Sequence, residues 1–398
     1  MKIKNNTKIS TPFSTNSSKF LVVSGNVSFI KKMSNTSIGL IPNNHKIPID
    51  PESFLETRKI EGPVLNSTLP PDVSPWFLTG MTDAEGNFDI HVFSNTRALA
   101  NTGIKYRFRM DANYKDIVLL CAINNYFGSG IVSRIRKDTN VVQIEISSID
   151  KIQKIIIPFF DKYPLKGTKY YDYLNWRNSF FDFLENRSTL ESKLQLIERI
   201  KAVKEIHNRK KVAPITVPLD HLKSIDPNYI SGFVTGDGSF SLVTQASSFH
   251  SGFGRSVLGM SQHINNLLLL KAMAKQFKNQ AKLSILDDNP DLAAIRISHK
   301  QALNEEIIPF FDKAPVYGQH AVTFLKWKLI IRYLLSLRVN GSIPRTMDKE
   351  LIINNIREVW HDKSHLLNTD LSFNTEKLEE QIKSKLYVKN VYLLKDSI

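Results

Sequence analysis

The sequence predicts an α/β (α+β) protein made of one unit used twice, each unit a four-stranded antiparallel sheet with helices on one face. The first observation behind this is an internal repeat. Ile-Ile-Pro-Phe-Phe-Asp-Lys occurs at residues 156–162 and again at 307–313, so that Pro158 and Pro309 lie 151 positions apart, as do Trp176 and Trp327. The segment from Trp76 to Gly86 pairs in the same way with that from Asn228 to Gly238, at an offset of 152. A period this long is too large for a solenoid and has the size of a small domain. The second observation is strict alternation of polar and apolar residues over short runs, which marks half-buried strands. The third is length: 398 residues, 42% of them hydrophobic, are enough for two cores.

Each element of the unit can be read in turn. Each copy opens with a short apolar helix that ends at glycine, and Gly80 and Gly232 inside these helices predict two helices packed closely side by side. In the first strand Phe88, Ile90 and Val92 alternate with Asn87, Asp89 and His91. In the second, Lys105, Arg107 and Arg109 alternate with Tyr106, Phe108 and Met110, which sets cations on one face and apolar groups on the other. Like charges so placed repel one another, and the face is expected to meet a polyanion. Residues 116–127 have helical periodicity. Arg134 and Arg136 alternate on a third strand, and Gln143 and Glu145 on a fourth. A short helix is then expected to stop before Pro158, and a longer one to follow Pro164. The order is αββαββα. In the second copy the strands fall near 239–245, 254–262, 282–286 and 293–298. Its polar face carries Ser239, Ser241, Gln245, Arg255, Lys282 and Arg296. Domain limits follow: a basic leader over 1–70, units over 71–187 and 226–361, a helical linker over 188–225, and a helical extension over 362–398.

The chain holds 53 Lys and Arg against 38 Asp and Glu, a net charge of +15, which points to a nucleic-acid partner. Its single cysteine, Cys121, excludes an internal disulfide framework and a multi-cysteine zinc site. No apolar run reaches the ~20 residues needed to cross a bilayer, so no membrane is expected. No acidic residue precedes Asp50 and no arginine precedes Arg58. That leader reads as a disordered basic segment better than as an import presequence, which would be arginine-rich and amphipathic.

Glu85 and Asp237 stand at equivalent positions, at the ends of the two paired helices. Packed side by side, those helices would bring both carboxylates to the pseudo-two-fold axis. Hard oxygen ligands of this kind suit Mg²⁺ or another divalent cation, and a bound metal serves in-line displacement at phosphorus. One carboxylate per copy allows one cut per strand of a duplex.

The segment Leu78-Thr79-Gly80-Met81-Thr82-Asp83-Ala84-Glu85-Gly86 resembles the motif of the LAGLIDADG homing endonucleases, and Ile230-Ser231-Gly232-Phe233-Val234-Thr235-Gly236-Asp237-Gly238 resembles a looser second copy. The resemblance spans about residues 74–360 and is to the single-chain, two-motif form. It implies a monomeric, site-specific double-strand DNA endonuclease with two saddle-like sheets in the major groove. The expected target is long, about two helical turns or roughly 20 base pairs, pseudo-palindromic or asymmetric. It implies catalytic metal at Glu85 and Asp237, with the carbonyls of Ala84 and Gly236 completing the shell. It places Gln262 near the reaction centre, with Ala112 in the first copy lacking that role. It also places there a lysine, Lys169 or Lys166, with His320 aligned to Lys169. Thr235 and Gly236 depart from Asp83 and Ala84, and catalysis is expected to survive with unequal strand rates. The alternative on the same scaffold is a maturase that binds its own intron RNA. The frequency of Lys, Asn and Ile suits an A·T-rich genome, and with the family's prevalence in fungal mitochondrial introns it favours a mitochondrial product.

Overall fold

Two short helices in close contact join the two copies of the repeated unit. The computed structural model describes residues 66–128, 130–133, 139–209, 218–243, 255–278, 280–339, 343–344, 347–362 and 375–387. The leader through residue 65 and the candidate residues Arg134, Arg136 and Gln245 lie outside these.

The first central helix, α1 (Pro75–Glu85), starts where the Ser74 hydroxyl caps the Trp76 N–H and Pro75 fills the first turn. After it come β1 (Gly86–Ser94), β2 (Thr102–Asn113), α2 (Ile117–Tyr126), β3 (Ile131–Val132) and β4 (Val141–Ile146). A helical run over 149–162 (α3), α4 (Lys169–Asn186) and α5 (Leu190–Arg209) follow. The second copy has α6 (Leu219–Leu222) and then the other central helix, α7 (Pro227–Asp237), capped by Asp226. It continues through β5 (Gly238–Val243), β6 (Arg255–His263), α8 (Leu267–Ala274), β7 (Lys282–Leu286) and β8 (Asn289–Ile297). Its last elements are a helical run over 300–313 (α9) and α10 (Gln319–Ser336). Helices α11 (Lys349–His361) and α12 (Thr375–Leu386) pack on α10 through a third apolar cluster that includes Leu378, Ile382 and Leu386.

Each sheet has its strands in the same antiparallel order, first, second, fourth, third. The observed sheets thus match the fold class read from the sequence. β8 begins at Asn289, several residues before the expected start. The register also explains the repeat. Gly86 pairs with Met110, and Gly238 with Met260. Each conserved-spacing tryptophan ties its helix to the matching strand: Trp176 Nε1 donates to the Asp89 carbonyl at 3.1 Å and Trp327 Nε1 to that of Ser241 at 3.2 Å. The Pro-Phe-Phe segments place Phe160 and Phe311 edge-on against Phe88 and Phe240.

One expectation is corrected. The helix before Pro158 does not stop there. It runs through the proline to Lys162, with a wider π-helical turn over Ile152–Ile156 just before it. Proline has no N–H to give the preceding turn, and the π-turn shifts the hydrogen-bond register so that none is demanded. The second copy repeats the device with Leu303–Ile307 ahead of Pro309.

The contact between α1 and α7 is made of backbone. A Cβ added at Gly80 would overlap the Tyr229 carbonyl and lie 2.9 Å from the Phe233 nitrogen. At Gly232 it would overlap the Phe77 carbonyl and lie 2.9 Å from the Met81 nitrogen. Only glycine permits this approach, and it aligns the two helix ends.

Candidate active site

Glu85 and Asp237 are the last helical residues of α1 and α7, each followed by a glycine that enters a strand. The helix ends touch: a Cβ at Gly236 would overlap the Ala84 Cβ and lie 3.1 Å from Glu85 Cγ. Glycine at position 236 therefore has a steric reason, since in this packing only one of the two matched positions can carry a methyl group. Burial pushes the Glu85 carboxyl up to about 7, and the neighbouring Asp237 adds to the rise while Lys169 opposes it. Asp237 is pushed up to about 6 by burial, against the pull of Lys169 and a hydrogen bond from Gln262. Two carboxylates held together in a desolvated cleft are relieved by a cation.

Among the described residues no group of three or more His, Cys, Asp or Glu side chains is arranged around one point. The central donor set is smaller: two carboxylates with the carbonyls of Ala84 and Gly236 next to them in the chain. Hard donors, few in number and open to water and phosphate oxygens, fit Mg²⁺ better than a metal caged by protein alone.

Lys169 is brought to this centre and Lys166 is not. The Lys169 ammonium donates to the carbonyls of Thr82 at 3.0 Å and Ala84 at 3.2 Å. Burial lowers its pKa, while Asp83, Asp237 and Glu85 hold it up. The Lys166 ammonium instead donates to the His221 carbonyl at 2.8 Å and lies 4.8 Å from the centroid of the Trp76 ring. Gln262 donates to Asp237 Oδ2. Strand register places Ala112 at the matching position of the first copy, where no such bond forms. His320, aligned with Lys169, contacts the Gly238 carbonyl at 3.1 Å through Nε2.

The sheet faces require a second correction. The cations of β2 do not simply repel one another. β2 lies between β1 and β4, and the register sets Asp89 opposite Arg107 and Glu145 opposite Arg109. Arg107 Nε donates to Asp89 at 2.8 Å, Lys105 pairs with Glu145, and Arg109 lies 3.8 Å from Asp89. With Asp111 on the same face, three cations meet three carboxylates across the described strands, and the face is a lattice of alternating charge. Gln143 donates to Asp111, while Asn87 and His91 are exposed. On the second sheet Ser239, Arg255, Lys282 and Arg296 are exposed, and Ser241 is half-buried.

The sequence reading missed several residues around the centre. Asp111 and Asp116 each add to the rise at Glu85. Asp116 Oδ1 accepts the Gln319 N–H at 2.7 Å, and at the matching place in the other half Asn266 Oδ1 accepts the Thr168 N–H at 2.8 Å. Each copy thus holds the other's turn. Carrying the repeat through β2 and β6 would have paired Asp116 with Asn266, but neither lies in a motif.

Comparison with known proteins bears on the family and the fold. The sequence profile described as LAGLIDADG endonuclease matches residues 78–180 and 230–331. A Neurospora crassa protein named probable intron-encoded endonuclease 2 is 28% identical over 298 residues, which is 68% of this chain and 62% of that one. The Saccharomyces cerevisiae uncharacterized mitochondrial protein RF1 is 24% identical over 315 residues, 75% of this chain and again 62% of the relative. The chain thus spans under two thirds of the length of each. The crystal structure of the I-SmaMI LAGLIDADG homing endonuclease bound to cleaved DNA shares the fold, with a TM-score of 0.60 at 23% identity, covering 75% of this chain and 99% of that one. The same protein bound to uncleaved DNA target in the presence of calcium ions gives 0.59 at 24% identity, over 73% and 98%. With both matched segments falling on the two structural copies, the chain belongs to the LAGLIDADG endonuclease family.

Proposed function

We propose that the chain is a site-specific double-strand DNA endonuclease that acts as a monomer in the mitochondrion. The observation that carries this reading is the meeting of Glu85 and Asp237, one from each copy, at the ends of two glycine-packed helices. A pseudo-two-fold pair of carboxylates matches the two-fold relation between the strands of a duplex. The structure of I-SmaMI bound to uncleaved DNA target in the presence of calcium ions supports a DNA partner and a divalent cation. Glu85 and Asp237, with the carbonyls of Ala84 and Gly236, would hold Mg²⁺, which supplies a water-derived nucleophile and neutralises charge at phosphorus.

The chain's own residues do the rest. Gln262 fixes the orientation of the Asp237 carboxylate. Lys169 places a buried ammonium where charge develops on a phosphate oxygen, in a cleft that weakens screening by water. The sheets position the duplex through Asn87, His91, Lys105, Arg107, Arg109, Gln143, Ser239, Ser241, Arg255, Lys282 and Arg296. Two half-sites give a target of roughly 20 base pairs. The sheets differ in charge, so the target is expected to be asymmetric.

The test is selection from a randomised duplex library with Mg²⁺ present, followed by sequencing of the cleaved ends. The expected result is one long motif with two unlike halves, and no cleavage once the metal is chelated. Cleavage scattered without a motif, or none at all, overturns the reading. The ion-pair lattice adds a second expectation. Asp89→Asn removes one of the two carboxylates paired with Arg107, leaving Glu145 at 3.6 Å, so duplex affinity should rise and the slope of log Kd against log salt should steepen by up to about one. Anisotropy titrations at several salt concentrations measure this, and an unchanged slope would mean that the face does not meet phosphates.

A further inference from the structure

The two central helices differ at a buried position, Asp83 in the first and Thr235 in the second. Asp83 is 6% exposed, yet its Oδ2 takes three donors: the N–H of Lys166 at 2.7 Å, that of Gly167 at 3.2 Å, and the Tyr229 hydroxyl at 2.7 Å. Tyr229 is fully buried and comes from the other copy's helix. The two N–H groups belong to the turn that leads into Lys169, the first residue of α4. The far side of this turn is held from the second copy as well. Thr168 N–H donates to Asn266, Asn266 Nδ2 donates to Gln262 Oε1 at 2.9 Å, and Gln262 donates to Asp237. A continuous chain of hydrogen bonds therefore runs from Tyr229 through Asp83 and the 166–168 turn to the Asp237 carboxylate.

The other half keeps the outer part of this device and lacks the inner part. Gln319 N–H, the counterpart of Thr168, is held by Asp116. Thr235 stands where Asp83 would, and its hydroxyl donates within its own helix to the Ser231 carbonyl at 2.8 Å. The counterpart of Tyr229 is Phe77, which has no hydroxyl and packs edge-on against Tyr317 with ring centroids 4.8 Å apart. The counterpart of Lys169 is His320. Acid, phenol and lysine occur together in one half and are replaced together in the other. Thr and Phe fill the same helix crossing there, so packing alone does not call for a buried carboxylate, which is costly unless it is well bonded.

Resting on the nuclease reading above, we propose that Asp83 and Tyr229 are a positioning pair: through the 166–168 turn they aim Lys169 at the Glu85–Asp237 centre, and they do so for one strand of the duplex only. Neither residue touches the reacting atoms. Both act through the turn, and the half that carries His320 works without them.

The test uses the full chain carrying Tyr229→Phe, which installs the residue that the other half already uses, and the double change Asp83→Thr with Tyr229→Phe, which copies the whole alternative pairing. Two readouts are taken. One is amide hydrogen exchange at residues 166–168. The other is single-turnover cleavage, resolved by strand, on the duplex recovered from the library. In Tyr229→Phe the turn should exchange at least about tenfold faster, and one strand should be cut about tenfold more slowly while the other keeps its rate, the size expected for one hydrogen bond to a buried charge. Asp83→Asn with Tyr229→Phe keeps an acceptor oxygen and should restore part of what the double change with Asp83→Thr loses in both readouts. Equal slowing of both strands, or unchanged exchange at 166–168, overturns the proposal. If the double variant does not fold, Tyr229→Phe decides alone. If the unaltered protein cuts no duplex while exchange at the turn responds as stated, the positioning pair stands and the endonuclease reading falls.

Discussion

Glu85→Gln and Asp237→Asn should each abolish double-strand cleavage, with single-turnover rates falling at least about 100-fold. Duplex affinity should stay close to that of the unaltered protein, because both carboxylates sit at the helix ends, away from the sheet faces proposed to bind the duplex. The amides keep the shape of the acids and remove the charge that a cation needs. The same charge is a burden when no cation is present: burial and the neighbouring acid raise Glu85 to about 7, so near neutral pH the folded protein holds its ionised form at a cost. In a chelator-treated sample either amide should therefore raise Tm, by about 2–4 °C per kcal/mol relieved. Gain of stability with loss of cleavage separates a cation site from a structural contact. Normal cutting of both strands by either variant would remove the two-carboxylate mechanism.

The second large effect concerns the glycines of the crossing. Gly80→Ala and Gly232→Ala should each lower stability by about 3 kcal/mol or more, read as a fall in the urea midpoint. Alanine is the better helix former and would gain about 1 kcal/mol on an exposed helix. Here the added methyl meets a carbonyl and a backbone nitrogen of the opposing helix, and neither can turn away as a side chain could. The helices must separate, and the carboxylates separate with them, so cleavage should fall in parallel. An alanine variant with an unaltered midpoint would show that the helices are not in backbone contact.

How much of this could be read beforehand depends on where the information lies along the chain. The duplicated unit, the strand alternation and the paired carboxylates were legible because each is a local pattern, and each occurs twice at the same spacing. The lattice on the first sheet was not. The alternation of Lys105, Arg107 and Arg109 is visible in one strand, but their neutralisation by Asp89 and Glu145 depends on the register of two other strands. The choice of Lys169 over Lys166 turns on which way a turn leads into a helix, and three residues of spacing do not decide that. Asp83 reads as a second acid of the motif. Its real partners are a phenol 146 positions away and two N–H groups more than 80 positions away, and no spacing rule connects them. Pro158 misled because the rule that proline ends a helix assumes an α-helical register before it, and the π-turn changes that register.

The glycine crossing also bears on the order in which the protein is put together. The first apolar core is drawn from residues between Phe77 and Ile200, and the second from residues between Ile225 and Ile331. Each can form from neighbours in its own stretch of chain, whereas the crossing joins helices about 150 residues apart and must close a long loop. Docking of two formed halves is then the expected final event, and a refolding time course in which the 77–200 and 225–331 amides gain protection before Gly80 and Gly232 would show it. Glu85 and Asp237 meet only at that event, so a partly folded chain carries no assembled cleavage centre. On the endonuclease reading proposed above, such a chain would gain cutting activity only once its two halves have docked.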